Sequence, residues 1–264
     1  MMRTASVSWT VNRVEIRAPF AATMLSLFVV ATSALPARAD DVVANEYRPT
    51  LSLHHPLKDD LTGYAELQYR NNPDKDFQAY EVIWPSLTYS VSHWLQLSGG
   101  LLSLYTDNEQ SPDKLELQPF AGVKLFAPNK IEWTIYNYTR YEFLDTLNLD
   151  TQAWTSYGRV RSRFGVEFPL TPRKQAWQPK TWYGLADVEP IYRFDHDTID
   201  PVYVRGGFGY VLNHRVRLEF IYTAQFSRSS RGELAHAENL LEFNLKIGLT
   251  EGLLRRIHNP RAGD

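Results

Sequence analysis

With 264 residues, no cysteine and a formal net charge of −2, the chain cannot be organised by disulfides or thiolate-held metals, and no basic excess marks it for nucleic acid. It is 44% hydrophobic, with 7 Trp, 15 Tyr and 13 Phe, yet its mean hydropathy is −0.36. Apolar residues are plentiful but dispersed, and beyond the N-terminus no run of about eighteen offers a transmembrane helix.

Residues 1–39 read as a secretory signal peptide. Arg3, Arg13 and Arg17 supply the positive segment, Ala21 to Leu35 the apolar one, and Ala37-Arg38-Ala39 a small-residue cleavage site before Asp40. The competing reading, an N-terminal membrane anchor, fits less well because the apolar run is short and ends in small residues and Pro36. Export is expected, with residues 40–250 forming the folded part and 251–264 a basic tail carrying Arg255, Arg256 and Arg261.

From Glu46 onward the chain alternates. A period of two is a strand, because successive side chains leave opposite faces of the pleat. Glu46–His54 sets Arg48, Thr50 and Ser52 against Pro49, Leu51 and Leu53. In Leu61–Arg70, Leu61, Gly63, Ala65, Leu67 and Tyr69 oppose Glu66, Gln68 and Arg70. Ala79–Val91 and Trp94–Tyr105 follow across Ser92-His93; Pro85 marks a bulge, a strand start or a defect in the first of them. Leu115–Phe126 and Ile131–Phe143 form a hairpin over Ala127-Pro128-Asn129-Lys130. The second of these puts Glu132, Arg140 and Glu142 on its polar face, while Asn137 and Thr139 interrupt its apolar one.

Trp154–Phe168 carries the clearest pattern. Arg159, Arg161, Arg163 and Glu167 share one face, and Val160, Phe164, Val166 and Phe168 the other. Strands in water-soluble sheets usually run to about five or six residues, whereas this one is about fifteen. Length, an apolar face and an ionic face together suit a membrane-spanning barrel with a polar lumen. Trp182–Phe194 then places Asp187, Glu189 and Arg193 on its polar side. Tyr203–Val211 and Val216–Phe226 make a hairpin bearing Arg217 and Glu219, and Leu241–Leu249 is the last strand.

Polar connections 71–78, 106–114, 145–152, 195–201 and 227–238 alternate with short turns 92–93, 127–130 and 212–214, with 169–180 the exception. Outer-membrane barrels have such an asymmetry and an even strand number. Eleven segments are visible, so the expected fold is an all-β antiparallel transmembrane barrel of about 12 strands, with 10 the alternative.

Glu46-x-Arg48-Pro49, Arg159-x-Arg161-x-Arg163 and Ala186-Asp187-Val188-Glu189, within paired strands over 46–249, resemble the uncharacterised outer-membrane β-barrel family DUF2490. The resemblance implies location in the outer membrane and assigns no activity. The chain departs from the pattern of such barrels in lacking a terminal aromatic residue.

The expected lumen set is Arg70, Glu132, Arg140, Glu142, Arg159, Arg161, Arg163, Glu167, Asp187, Glu189, Arg193, Arg217 and Glu219. Opposite charges across a ladder give about 0.2–1 kcal/mol per pair, so a salt-bridge network filling the lumen is one reading. An arginine-lined path for small anionic solutes is the other. Outer-membrane lipids and the barrel-assembly machinery are the remaining expected partners. Neither cofactor nor metal is expected: Asp195-His196-Asp197 lies along one extended loop, and Gly206-Gly207-x-Gly209 lacks the helix a phosphate loop needs.

An acyl hydrolase working on lipid is the competing enzymatic reading. None of the 7 histidines is followed two residues later by serine, and His196 and His236 lie in expected outer loops near Asp197 and Ser229/Ser230. A soluble periplasmic ligand-binding barrel is the third reading, and it requires the faces to be reversed. Trp94, Trp133, Trp154, Trp177 and Trp182 lie mostly near strand ends, where an aromatic girdle belongs.

Overall fold

In the computed structural model, residues 43–108, 111–128, 133–172, 176–229, 232–251 and 253–254 are described. The signal-peptide reading, Glu132 and the arginines of the tail lie outside them. Each alternating segment is a strand: β1 (Ala44–Pro56), β2 (Leu61–Asn72), β3 (Phe77–Ser92), β4 (Leu95–Asn108), β5 (Lys114–Phe126), β6 (Thr134–Asn148), β7 (Trp154–Pro169), β8 (Thr181–Arg193), β9 (Thr198–Val211), β10 (Val216–Arg228) and β11 (Leu234–Gly248). Neighbours in sequence pair antiparallel, and the ring closes β1 onto β11.

The expectation of twelve strands, or ten, is corrected to eleven among the described residues. Evenness follows only if the first and last strands run in opposite directions. Here β1 and β11 are parallel, in register from Ala44↔Glu238 to His54↔Gly248, and a parallel seam closes an odd count. Pro85 sits at a bulge, where the β3–β4 register shifts between Ile83 and Ser86.

The two faces of the wall differ in chemistry. Glu46, Thr50, Ser52, Gln68, Glu81, Glu142, Glu189, Arg205 and Glu219 are buried inside, while Leu67, Val82, Leu97, Phe143, Phe164, Val188, Phe220 and Phe243 are exposed outside. Asn137, Thr139 and Ser162 are the polar interruption of that outer face, and they satisfy one another. Asn137 Nδ2 donates to Ser162 Oγ at 3.0 Å, Thr139 Oγ1 donates to Asn137 Oδ1 at 3.0 Å, and Thr139 Oγ1 and Ser162 Oγ are 2.9 Å apart.

The barrel has an N-rim, where β1 starts, and a C-rim, where β11 ends. Connections at the N-rim are 73–76, 109–113, 149–153, 194–197 and 229–233, and those at the C-rim 57–60, 93–94, 127–133, 170–180 and 212–215. The expected contrast of long loops with short turns is therefore corrected: N-rim connections have only four or five residues, and the longest connection is at the C-rim. The strands run further than their apolar alternation does, because polar side chains near the N-rim leave the ladder intact; β11 begins at Leu234, inside the expected loop 227–238.

In the described part of the 170–180 connection, Ala176 and Trp177 turn inward. Trp177, 2% exposed, packs with Ala176 against Tyr183 and Val211, so it is a core residue and not part of a girdle. Leu253 and Leu254 are also buried at this rim, beside Gly248. Trp94, Trp154 and Trp182 do face outward, as does Trp84.

Candidate functional site: an ion-paired lumen

Strand alternation delivers the charges to the inside, and register decides which of them meet. In the β6–β7 ladder Glu142 is paired with Arg159 and Arg140 with Arg161, while Arg163 faces Tyr138. Glu142, 0% exposed, is salt-bridged to Arg140 and Arg159 and lies 3.7 Å from Arg161 Nη1. On the far side of the arginine row Glu189 takes Arg161 at 2.8 Å, Arg163 at 3.1 Å and also Arg205, while Asp187 binds Arg205 at 2.6 Å. Three carboxylates thus neutralise most of a five-arginine cluster. Each is held by charge-assisted bonds, which gain strength where the surroundings are less polar than bulk water.

A second group lies nearer the C-rim. Glu219 receives Lys246 at 2.8 Å, the Tyr183 hydroxyl at 2.7 Å and Asn244 Nδ2 at 3.4 Å. Tyr183 reaches Glu219 because Gly209, opposite it on β9, leaves room: a side chain there would collide with the phenol ring. Arg217, 1% exposed, lies with its guanidinium 4.4 Å from the Trp177 ring centre. On β1 and β2, Ser52 donates to Glu66 at 2.8 Å, Tyr64 also bonds Glu66, and the His54 ring lies 4.9 Å from that of Tyr64.

Cavities between these groups, among the described residues, include one of about 340 Å³ towards the C-rim half and one of about 100 Å³ nearer the N-rim. Of the expected lumen residues, Arg70, Arg140, Arg161, Arg163, Asp187, Glu189 and Glu219 line the larger cavity, and Arg159 the smaller. Glu142 is buried behind the arginines and Glu167 faces inward. Two placements are corrected. Arg193 ends β8 at the N-rim, where it donates to Asp195 at 2.7 and 3.1 Å and holds that exposed carboxyl below its usual range. Arg217 points inward but lines neither cavity, since Trp177 covers it.

The family model described as a protein of unknown function (DUF2490) matches residues 49–235, most of the barrel. The chain belongs to the DUF2490 family. No curated protein and no solved structure matches it.

In this DUF2490 barrel His54, at the end of the first expected strand, is a lumen residue absent from the expected set. It is buried on β1 and lines the larger cavity. The signal was present: Arg48, Thr50 and Ser52 establish the inner face, and His54 is its next member. Tyr64, Tyr138 and Glu81 also line the cavity without having been singled out. Among the described residues there is no group of three or more His, Cys, Asp and Glu able to hold a metal ion.

Proposed function

We propose that this DUF2490 chain is an integral outer-membrane β-barrel whose ion-paired lumen is a narrow passive passage for small solutes, the same ion pairs stiffening the wall. The sidedness of the barrel carries this reading. Large apolar residues such as Phe164, 54% exposed, occupy the outside, and the arginine–carboxylate cluster occupies the inside. Water would favour the reverse arrangement, and hydrocarbon favours this one. Strands of 12 to 16 residues exceed the roughly nine to eleven needed to cross a bilayer. A soluble ligand-binding barrel, which needs its apolar face inside, is disfavoured by the same observation.

The passage is narrow. Eleven strands fall well short of the roughly 16 to 18 that surround a wide aqueous channel, and side chains fill much of the interior. Two measurements test the proposal. Folded barrel in detergent should migrate differently on gels before and after heating and should insert into lipid vesicles; a barrel that stays in the aqueous phase refutes the membrane location. In planar bilayers the wild type should give small, steady currents that Arg161→Ala alters, and silence from both proteins leaves the envelope-structural role alone.

A further inference from the structure

The geometry points to an anion-binding site at the C-rim end of the larger cavity, centred on the Lys124 ammonium and suited to a small hydrophilic organic anion bearing a carboxylate or phosphate. It rests on the passage reading only for the route by which the anion arrives.

Charge balance is the first observation. The larger cavity is lined by eight Lys and Arg side chains against six Asp and Glu, and Glu46 and Glu142 behind the lining pair with Arg48 and Arg140, so the poorly matched positive charge lies at the Lys124 end. The acids are engaged: Glu66 by Ser52 and Tyr64, Glu81 by Arg70, Asp187 and Glu189 by the arginine row, Glu219 by Lys246, and Glu242 by Thr223 at 3.1 Å. Among the described residues Lys124 has no ion pair. Its ammonium lies instead between two rings, 4.3 Å from the centre of Tyr136 and 4.9 Å from that of Phe126. Ring faces attract a cation but do not neutralise it.

The second observation is Arg217. It is almost wholly buried under Trp177, behind the cavity lining, and its Nε and Nη1 have no hydrogen-bond acceptor, so it adds positive potential to this end of the lumen without itself touching a ligand there. Lys124, Lys246 and Arg217 all act electrostatically on Glu167, so the three cations share one end of the lumen with Glu167 and Glu219. Glu219 pairs with Lys246 and Glu167 acts on Lys124, so two carboxylates face three cations; a cation held away from water with incomplete counter-charge is costly, and a bound anion lowers that cost. Neutral hydroxyls line the same cavity: Tyr138 is the register partner of Lys124, and its hydroxyl lies 2.8 Å from Ser98 Oγ. A cavity of about 340 Å³ with a polar lining suits a small, water-soluble ligand better than a lipid chain.

Titration calorimetry of the full chain folded in detergent, with citrate and separately with inorganic phosphate, tests the site. Citrate or phosphate should bind the wild type, and Lys124→Gln should weaken binding by about tenfold or more. Lys124→Arg should retain binding, and Lys58→Gln, which removes one positive charge from an exposed C-rim turn, should leave it unchanged. If Lys124→Gln does not fold, Lys124→Met, whose aliphatic chain can stay between the two rings, carries the same expectation. Absence of binding by the wild type to either anion, or equal binding by the neutral variant, overturns the site. Current is not part of this readout: a barrel that binds citrate without conducting keeps the site and loses the passage, and one that conducts without binding does the opposite.

Discussion

Arg140 and Arg161 stand directly opposite one another across the β6–β7 ladder, and the Glu142 carboxylate reaches both. Like charges across a ladder repel, so the fully buried Glu142 is what allows the pair to face each other. Glu142→Gln should therefore leave several guanidinium groups short of a counter-charge and cost about 3–5 kcal/mol. Urea unfolding of the barrel in detergent reads this directly. A midpoint close to that of the wild type would mean that lumen water already screens the arginines.

On the membrane-spanning reading, an outward position near the middle of a strand meets hydrocarbon. Phe164→Arg should then cost about 2–4 kcal/mol when folding is measured in lipid vesicles. For a barrel surrounded by water the same change is neutral or improves solubility, so retained stability and easier handling would count against the membrane.

Trp177 ties the 170–180 connection into the C-rim through Tyr183, Val211 and Arg217. Trp177→Ala should lose about 3–5 kcal/mol of stability through the cavity it leaves. On the passage reading it should also raise single-channel current, because a bulky ring packed at the C-rim end of the barrel is removed. Unchanged current beside lowered stability would show that the passage does not run past this ring.

The outer polar cluster offers a contrast between single and multiple changes. Ser162→Ala removes a partner from both Asn137 and Thr139 and should cost about 1–3 kcal/mol. Replacing all three, with Asn137→Leu, Thr139→Val and Ser162→Ala, should restore or exceed wild-type stability, since no stranded polar atom remains. Unfolding free energies that simply add across the three sites would argue against a mutually satisfied cluster.

Much of the barrel was legible because the period-two signal survives wherever one face is apolar. Trp154–Phe168 and Val216–Phe226 gave their faces and nearly their bounds, and all three central arginines are inside. Strand ends were less legible: away from the apolar belt the alternation weakens, so Leu234 to Glu238 fell in an expected loop while its backbone continues the ladder. The parallel seam lies beyond local pattern altogether, since pairing between residues nearly 200 positions apart leaves no trace in either segment alone. Trp177 misled for a related reason. An aromatic near a strand end is equally compatible with a girdle or a plug, and only the path of the connection separates them.

The odd strand count has a topological consequence. Asn45 lies beside Asp74 at the N-rim, whereas Leu249 donates its backbone N–H to the His54 carbonyl at the C-rim. In a bilayer, the polypeptide flanking the first strand and that flanking the last would face different compartments, unlike those of an even-numbered barrel. The chain has no native cysteine, so single thiols introduced as Val43→Cys and Leu249→Cys can be titrated with a membrane-impermeant maleimide on sealed vesicles, and each should react from one side only, the two sides being opposite.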